Sequence, residues 1–474
     1  MSPSTTAAKN RALWLSSFDK PLELVDLPIP DATSGSVVVQ VLMLLILRHE
    51  AIAHWWGGGY PLWGGVEMPP RTARSQCMDY DARGQGIIKP AVGYQASQFT
   101  TMAHVVPGVP SSGGTRFPKH YAMSKWNEDH LRLEADAYEL EVIGEIPSTI
   151  HGAFYRVQPD HAFPPIFAET EIPLNGDGNV SSFYIKDGHV DFKQRYVRTP
   201  KLIAEREARQ ALFGRYRNKY TDDPRVQSVL KGTTANTHVV FHDNKLMALK
   251  EDARPMELDP ITLETLGYID YHGTLRCPTH TAHPKADSTT GELVSYGYEA
   301  AGDAPPDICS FTVDKDGKLS DEVWFQAPWP CMIHDFWATD NWVVFPINGL
   351  KASLEQMKKG GDHFYWDENL DYQLLGVIPR RGAKPEDAKW FKTPQGCYSH
   401  TINAYEEDGK LVLDANVWTD VHFPFFPNTK GERFFTDPRK VKAPIIRYRF
   451  DPNGSTVKGP SHRTLATTRK IEDS

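Results

Sequence analysis

Cysteine is scarce in this sequence: five occur in 474 residues, Cys77, Cys277, Cys309, Cys331 and Cys397. Their number is odd, their spacing is wide and no CxxC pair is present, which excludes a disulfide scaffold and a thiolate zinc site. Such usage fits a reducing, cytoplasmic setting. Long apolar runs are lacking as well. The longest, Val37 to Leu47, has 11 residues and is interrupted by Gln40, short of the roughly 18–20 that cross a bilayer. It follows Asp26 and Asp31, too far into the chain for an ordinary signal peptide, and no amphipathic membrane anchor stands out. Nor is there a surplus of positive charge. Against 52 Lys and Arg stand 60 Asp and Glu, a net charge of −8, and basic segments such as RYRNKYTDDPR and FDPRKVKAPIIRYR are dispersed, which argues against a nucleic-acid partner. No GxGxxG follows a strand-like run, so the phosphate-cradling turn of a nicotinamide-binding fold is missing.

What the chain has in quantity is glycine (35), proline (36) and aromatic residues (11 %), a composition that favours many short strands over long helices. Residues 12–42 (ALWLSSFDKPLELVDLPIPDATSGSVVVQVL) hold β-prone runs separated by a Pro- and Gly-containing loop. This stretch resembles the opening hairpin of medium-chain alcohol dehydrogenases and quinone reductases, but the missing glycine fingerprint means that no dehydrogenase is expected to follow. Residues 43–118 are rich in Gly, Pro and Ser without sustained periodicity. Residues 1–118 are therefore expected to be a largely irregular leader, and 119–474 the folded domain. There, short β-prone runs such as GAFYRV, THVVFHDNKLMALK, GELVSYGYEA and NAYEEDGKLVLDANVW close on Asp, Asn and Gly turns. Only Lys201 to Gly214 reads as a helix, and Lys351 to Lys392 reads as a polar insertion. Strands beginning at Asn244, Gly291, Asp340 and Gly409 start 47, 49 and 69 residues apart, the repeat of an all-β propeller with four strands per blade.

Three of the 18 histidines share one register in that repeat. His283 lies eight residues before Gly291, His334 six before Asp340 and His400 nine before Gly409, each on the incoming strand of a hairpin in a different blade. Equivalent positions of successive blades face one axis, so three imidazoles can meet there. Neutral imidazoles with open positions beside them suit Fe(II) that must bind O₂. A metal-bound imidazole normally donates its other N–H to a carboxylate or carbonyl, and Glu251, ending the strand LMALK one blade earlier, is the candidate partner.

The segments THTAHPKAD, MIHDFW, SHTINAYEEDGKLVLD, LKEDARPMELDPITLET, GAFYRVQPD and NGDGNVSSF together resemble the carotenoid cleavage oxygenase family from about Trp126 to Gly454. The resemblance implies a seven-bladed β-propeller holding Fe(II) through four histidines, with His283, His334 and His400 as the first three ligands and Glu251 as the first carboxylate behind them. Lys250 and the segment FGRYRNKYTDDP are similar to the branch that cleaves lignostilbenes and resveratrol. That likeness implies that Lys250 and Tyr216 bind the substrate 4′-hydroxyl, with Tyr220 the competing choice, and that Phe163 packs on its ring. An ammonium and a phenol beside a substrate phenol favour its phenolate and push electron density onto the central C=C. The expected reaction is O₂-dependent scission of a hydroxystilbene into two aromatic aldehydes. Apocarotenoid cleavage and a non-catalytic binding module are the alternatives.

The family's fourth histidine has no counterpart in a strand-and-turn context after His400. His422, in DVHFPFFPN, and His462, in GPSHRTLATTRK, are the histidines that follow. The expectation is an incomplete propeller, its last blades missing, with three of four ligands and compromised or absent activity.

Overall fold

The computed structural model describes residues 130–226, 234–421, 423–433 and 440–454, and the backbone of six further strands. The expected boundary at 118/119, His422 and His462 lie outside the described residues. The chain divides into two compact units, Met1–Gly58 and Gly59–Ser474. In the first, Asn10–Trp14 pairs antiparallel with Glu23–Leu27, a hairpin overlapping the dehydrogenase-like stretch. In the second, a short hairpin joins Met78–Tyr80 to Gly86–Ile88, and five larger sheets follow.

The first sheet runs in the order Ala135–Ala137, His189–Tyr196, Asp177–Lys186, Gly152–Asp160. The second runs Thr265–Tyr268, Met256–Leu258, Lys245–Leu249, His238–His242, and the third Lys285–Ala286, Leu293–Tyr298, Asp307–Val313, Leu319–Gln326. The fourth holds Trp337–Ala338, Trp342–Ile347, Tyr372–Pro379, Lys389–Pro394 and Arg463–Thr464; the fifth holds Cys397–Glu407, Lys410–Trp418, Ile445–Phe450 and Thr468–Lys470. Two-residue turns set the register of several hairpins. Asp187-Gly188, Asp243-Asn244 and Asp408-Gly409 all have positive φ at both positions, the backbone that matches the twist of paired strands and that Asp, Asn and Gly tolerate best.

Side chains alternate between the two faces of each sheet, and successive sheets bury them against one another. Leu246 and Ala248 pack with Val180 of the first sheet, whereas Met247 and Leu249 pack with Leu293 and Phe311 of the third. Tyr296 and Ile308 then meet Phe345 and Ile347 of the fourth, and Val344 and Val377 meet Leu411 and Leu413 of the fifth. This face-to-face stacking of four- and five-stranded meanders is a β-propeller, five blades of which are described. Burial on both faces explains why Leu293–Tyr298 is buried at every position.

Two expectations need correction. Lys351 to Lys392 is not a polar insertion: it overlaps the hairpin Leu350–Ala352/Phe364–Trp366 and two strands of the fourth blade, with Leu374, Leu375, Val377 and Ile378 in the core. The helix is shorter than expected, Pro200–Ala208. Thr199 caps it by accepting from the Leu202 N–H at 3.2 Å, and Arg209 ends it in the left-handed region. Among the described residues no helix is long and apolar enough to cross a membrane.

Candidate metal centre

His283, His334 and His400 come together. His283 lies two residues before the first strand of the third blade, His334 three residues before that of the fourth, and His400 inside that of the fifth. Local sequence aims each ring. Pro284 restricts His283 to extended backbone, and the Thr281 hydroxyl accepts its N–H at 3.0 Å. At Ile333, before His334, the carbonyl accepts the buried Tyr296 hydroxyl. The ladder of His400 shifts register on both sides of Thr401, a bulge that re-aims the side chain.

The Nε2 atoms of His283 and His334 are 3.0 Å apart, and those of His334 and His400 3.2 Å. The three rings stand at 70–89° to one another. Two nitrogens about 2.1 Å from a shared cation and at right angles around it lie about 3.0 Å apart, so each of these two spacings fits a pair of imidazoles bound side by side to one cation. Glu251 accepts a hydrogen bond from His334 Nδ1, and its other oxygen accepts from the Tyr298 hydroxyl. Ser399 Oγ lies 3.0 Å from His400 Nδ1. These partners direct the Nε2 atoms inward.

Burial, followed by the neighbouring His334, holds His283 well below the ordinary imidazole range and His400 at about 4. Burial pulls His334 the same way, but the Glu251 carboxylate outweighs it and raises it. Glu251 itself, which burial would raise, is held below its ordinary value chiefly by His334 and Arg217. The site thus disfavours a proton on His283 and on His400 and favours one on His334. A divalent cation would take that proton's place.

Lys250, directly before Glu251, is buried. Its ammonium donates to the Leu174 carbonyl at 3.0 Å and lies 4.3 Å from the centre of the Tyr216 ring. Tyr216 is buried too, and burial and the Glu251 charge push its phenol well above its ordinary range. The rings packed around it are Phe364 and Phe426. Tyr220 is 41 % exposed, its hydroxyl directed to Asp303, and lies apart from this pair. Phe163 is half-buried in the loop after Gly152–Asp160.

Several groups were not singled out from the sequence. Arg217 donates to the Tyr298 hydroxyl at 2.6 Å and pairs with Glu299, which accepts from His363 Nε2 at 2.7 Å. A buried network therefore runs from His334 through Glu251 and Tyr298 to His363. His238, six residues before Asn244, repeats the register of the other three; its Nδ1 is 2.8 Å from the Ala282 carbonyl and its ring centre 5.6 Å from that of His283.

Residues 129–472 match the family model described as retinal pigment epithelial membrane protein. The chain is 46 % identical over 354 residues to "Resveratrol cleavage oxygenase 1" of Aspergillus fumigatus, covering 74 % of this chain and 69 % of that one. It is 43 % identical over 374 residues to "Carotenoid cleavage oxygenase 1" of Neurospora crassa, covering 78 % and 67 %. The crystal structure of Pseudomonas brassicacearum lignostilbene dioxygenase superposes with a TM-score of 0.68 at 42 % identity, covering 72 % of this chain and 70 % of that one. With three histidines on successive blades, a carboxylate behind one of them and these matches, the chain belongs to the retinal pigment epithelial membrane protein family, the family of the carotenoid cleavage oxygenases.

Proposed function

We propose that this protein is a non-haem Fe(II) dioxygenase that cleaves the central double bond of 4-hydroxystilbenes into two aromatic aldehydes, one oxygen atom of O₂ ending in each. The observation that carries the proposal is the juxtaposition of Lys250 and Glu251. Adjacent residues contribute to two neighbouring buried sites, Glu251 to His334 and Lys250 to Tyr216. His283, His334 and His400 would hold the iron, which supplies O₂ binding and activation when present.

The chain's own residues do the rest. Glu251 and Ser399 fix the ring orientations of His334 and His400. Lys250, a cation removed from water, favours the phenolate of a substrate hydroxyl set against it. Tyr216 adds an O–H donor to the same oxygen, because its raised pKa keeps it protonated. The phenolate then pushes charge along the conjugated system towards the double bond. Burial of both groups strengthens this effect, since a fixed charge acts more strongly out of water.

A cytoplasmic location belongs to the same reading, supported by Cys277, Cys309, Cys331 and Cys397 being thiols rather than disulfide partners. The relative named for carotenoid cleavage favours a second reading, apocarotenoid cleavage. A carotenoid has no phenol for Lys250 to bind. The iron-loaded protein is expected to cleave 4-hydroxystilbene and to leave its 4-methoxy ether nearly untouched, and Lys250→Met is expected to lower turnover about 100-fold or more. Equal turnover of the ether would refute the phenolate role. Cleavage of apocarotenoids alone would favour the second reading, and protein that takes up no iron would favour a binding module.

A further inference from the structure

Asp335 follows His334 directly and is 4 % exposed. Its carboxylate accepts four hydrogen bonds, two at each oxygen. Oδ1 accepts from Lys285 Nζ at 2.6 Å and from the Phe336 N–H at 2.8 Å. Oδ2 accepts from the Thr401 N–H at 2.8 Å and the Thr401 hydroxyl at 2.9 Å. All the acceptor sites of a carboxylate are thus filled. Lys285 stands two residues after His283 and Thr401 one residue after His400. Lys285 Nζ also lies 3.1 Å from Thr401 Oγ1, closing the set.

From these contacts we infer that Asp335 is a positioning residue that clamps the three histidine-bearing segments, drawn from three blades, in the geometry needed to take a metal. The inference rests on the three histidines being a metal site. His283 and His334 are carried on loops before two-residue strands and His400 at a bulge in a longer one, and packing between blades fixes the sheets without fixing the aim of a ring. A buried carboxylate tied to all three segments within two residues of every ligand supplies that aim before any cation arrives. Its charge matters as well as its shape. An amide at this position would accept on one side only and set its NH₂ against N–H or ammonium donors on the other. Either the third-blade arm or the fifth-blade arm would then be lost, leaving buried donors unsatisfied.

The test is Co(II) titration of the metal-free full chain, read by calorimetry and visible absorption, with thermal melts of each metal-free variant. Asp335→Asn is expected to bind Co(II) about 10–100-fold more weakly, in the range measured for partners behind metal ligands, and to show an altered visible spectrum. Thr401→Val keeps its backbone N–H and its shape, so it serves even where the Asn variant fails to fold; a smaller weakening is expected. Arg380→Met is the control for a merely structural role. Arg380 joins Asp287 and Glu292 of the third blade to the fourth, so its loss should lower the melting temperature with Co(II) affinity unchanged. Wild-type affinity in both Asp335→Asn and Thr401→Val would overturn the clamp, as would equal weakening in Arg380→Met. Wild-type protein that binds no Co(II) would refute the metal site itself.

Discussion

Glu251 and His334 form the pair on which the chemistry of single residues turns. In the metal-free protein His334 titrates above its ordinary 6.5 and Glu251 below its ordinary 4.5. The His334 contribution to stability is then complete below about 6.5 and is lost as the pH rises through its raised value. The Glu251 contribution is complete above about 4.5 and is lost as the pH falls through its lowered value. Burial depresses His283 and His400, so their charging on unfolding works against stability as the pH falls below about 6.5. The share of the Glu251–His334 pair is read as the difference in melting temperature between metal-free wild type and Glu251→Gln, which should be largest between about 4.5 and 6.5 and shrink on either side. Metal binding strengthens as the pH rises, because His334 must give up its proton. Calorimetry in buffers of differing ionisation enthalpy is expected to show protons released on Co(II) binding, fewer of them as the pH rises; release independent of pH would contradict the assignment. Arg217 and Tyr298 stand behind Glu251 in the same way that Glu251 stands behind His334. Arg217→Met leaves Glu299 buried without its guanidinium, so a destabilisation of about 3–5 kcal/mol is expected in denaturant unfolding.

At the scale of elements, hairpins were the most legible part of the sequence, because Asp-Gly and Asp-Asn turns announce themselves and alternating apolar residues follow from the pleat. His283, His334 and His400 were legible for a related reason: each precedes such a turn by a nearly constant interval. Asp335, Arg217 and Glu299 were not, since a charged residue beside a strand looks the same in sequence whether it is solvated or buried. Some signal was present even so, for each of the three histidines is followed within two residues by a polar group, Lys285, Asp335 or Thr401. The strands at Tyr372–Pro379 and Lys389–Pro394 were missed because polar loops on either side masked the apolar run QLLGVI. The NGDGNVSSF motif gains a physical cause. A Cβ on Gly178 would stand 2.2 Å from the Ala235 carbonyl oxygen, where the first blade meets the segment entering the second and Gly178 N–H donates to Thr234 at 2.7 Å. Gly178→Ala should therefore cost about 1–3 kcal/mol in denaturant unfolding without weakening metal binding in the fraction that folds.

For the folded unit as a whole, the notable feature is that each blade rests on the one before it, while the candidate ligands belong to the third, fourth and fifth only. Packing alone makes stability propagate from neighbour to neighbour, and a bound cation adds a link across three blades at once. Anything that binds the folded state stabilises it in proportion to its excess over Kd, by about 2.7 kcal/mol at a hundredfold excess. This energy enters where the ligands are, so local openings of the third to fifth blades should feel it and openings confined to the first should not. Hydrogen exchange with and without Co(II) is the measurement. Slower exchange is expected at 281–286, 333–338 and 397–402, with little change across Gly152–Asp160, and His400→Ala should abolish the difference together with the rise in melting temperature. Protection spread evenly over all five described blades would mean that the cation acts through global stability alone. Protection that survived His400→Ala would mean that it binds elsewhere.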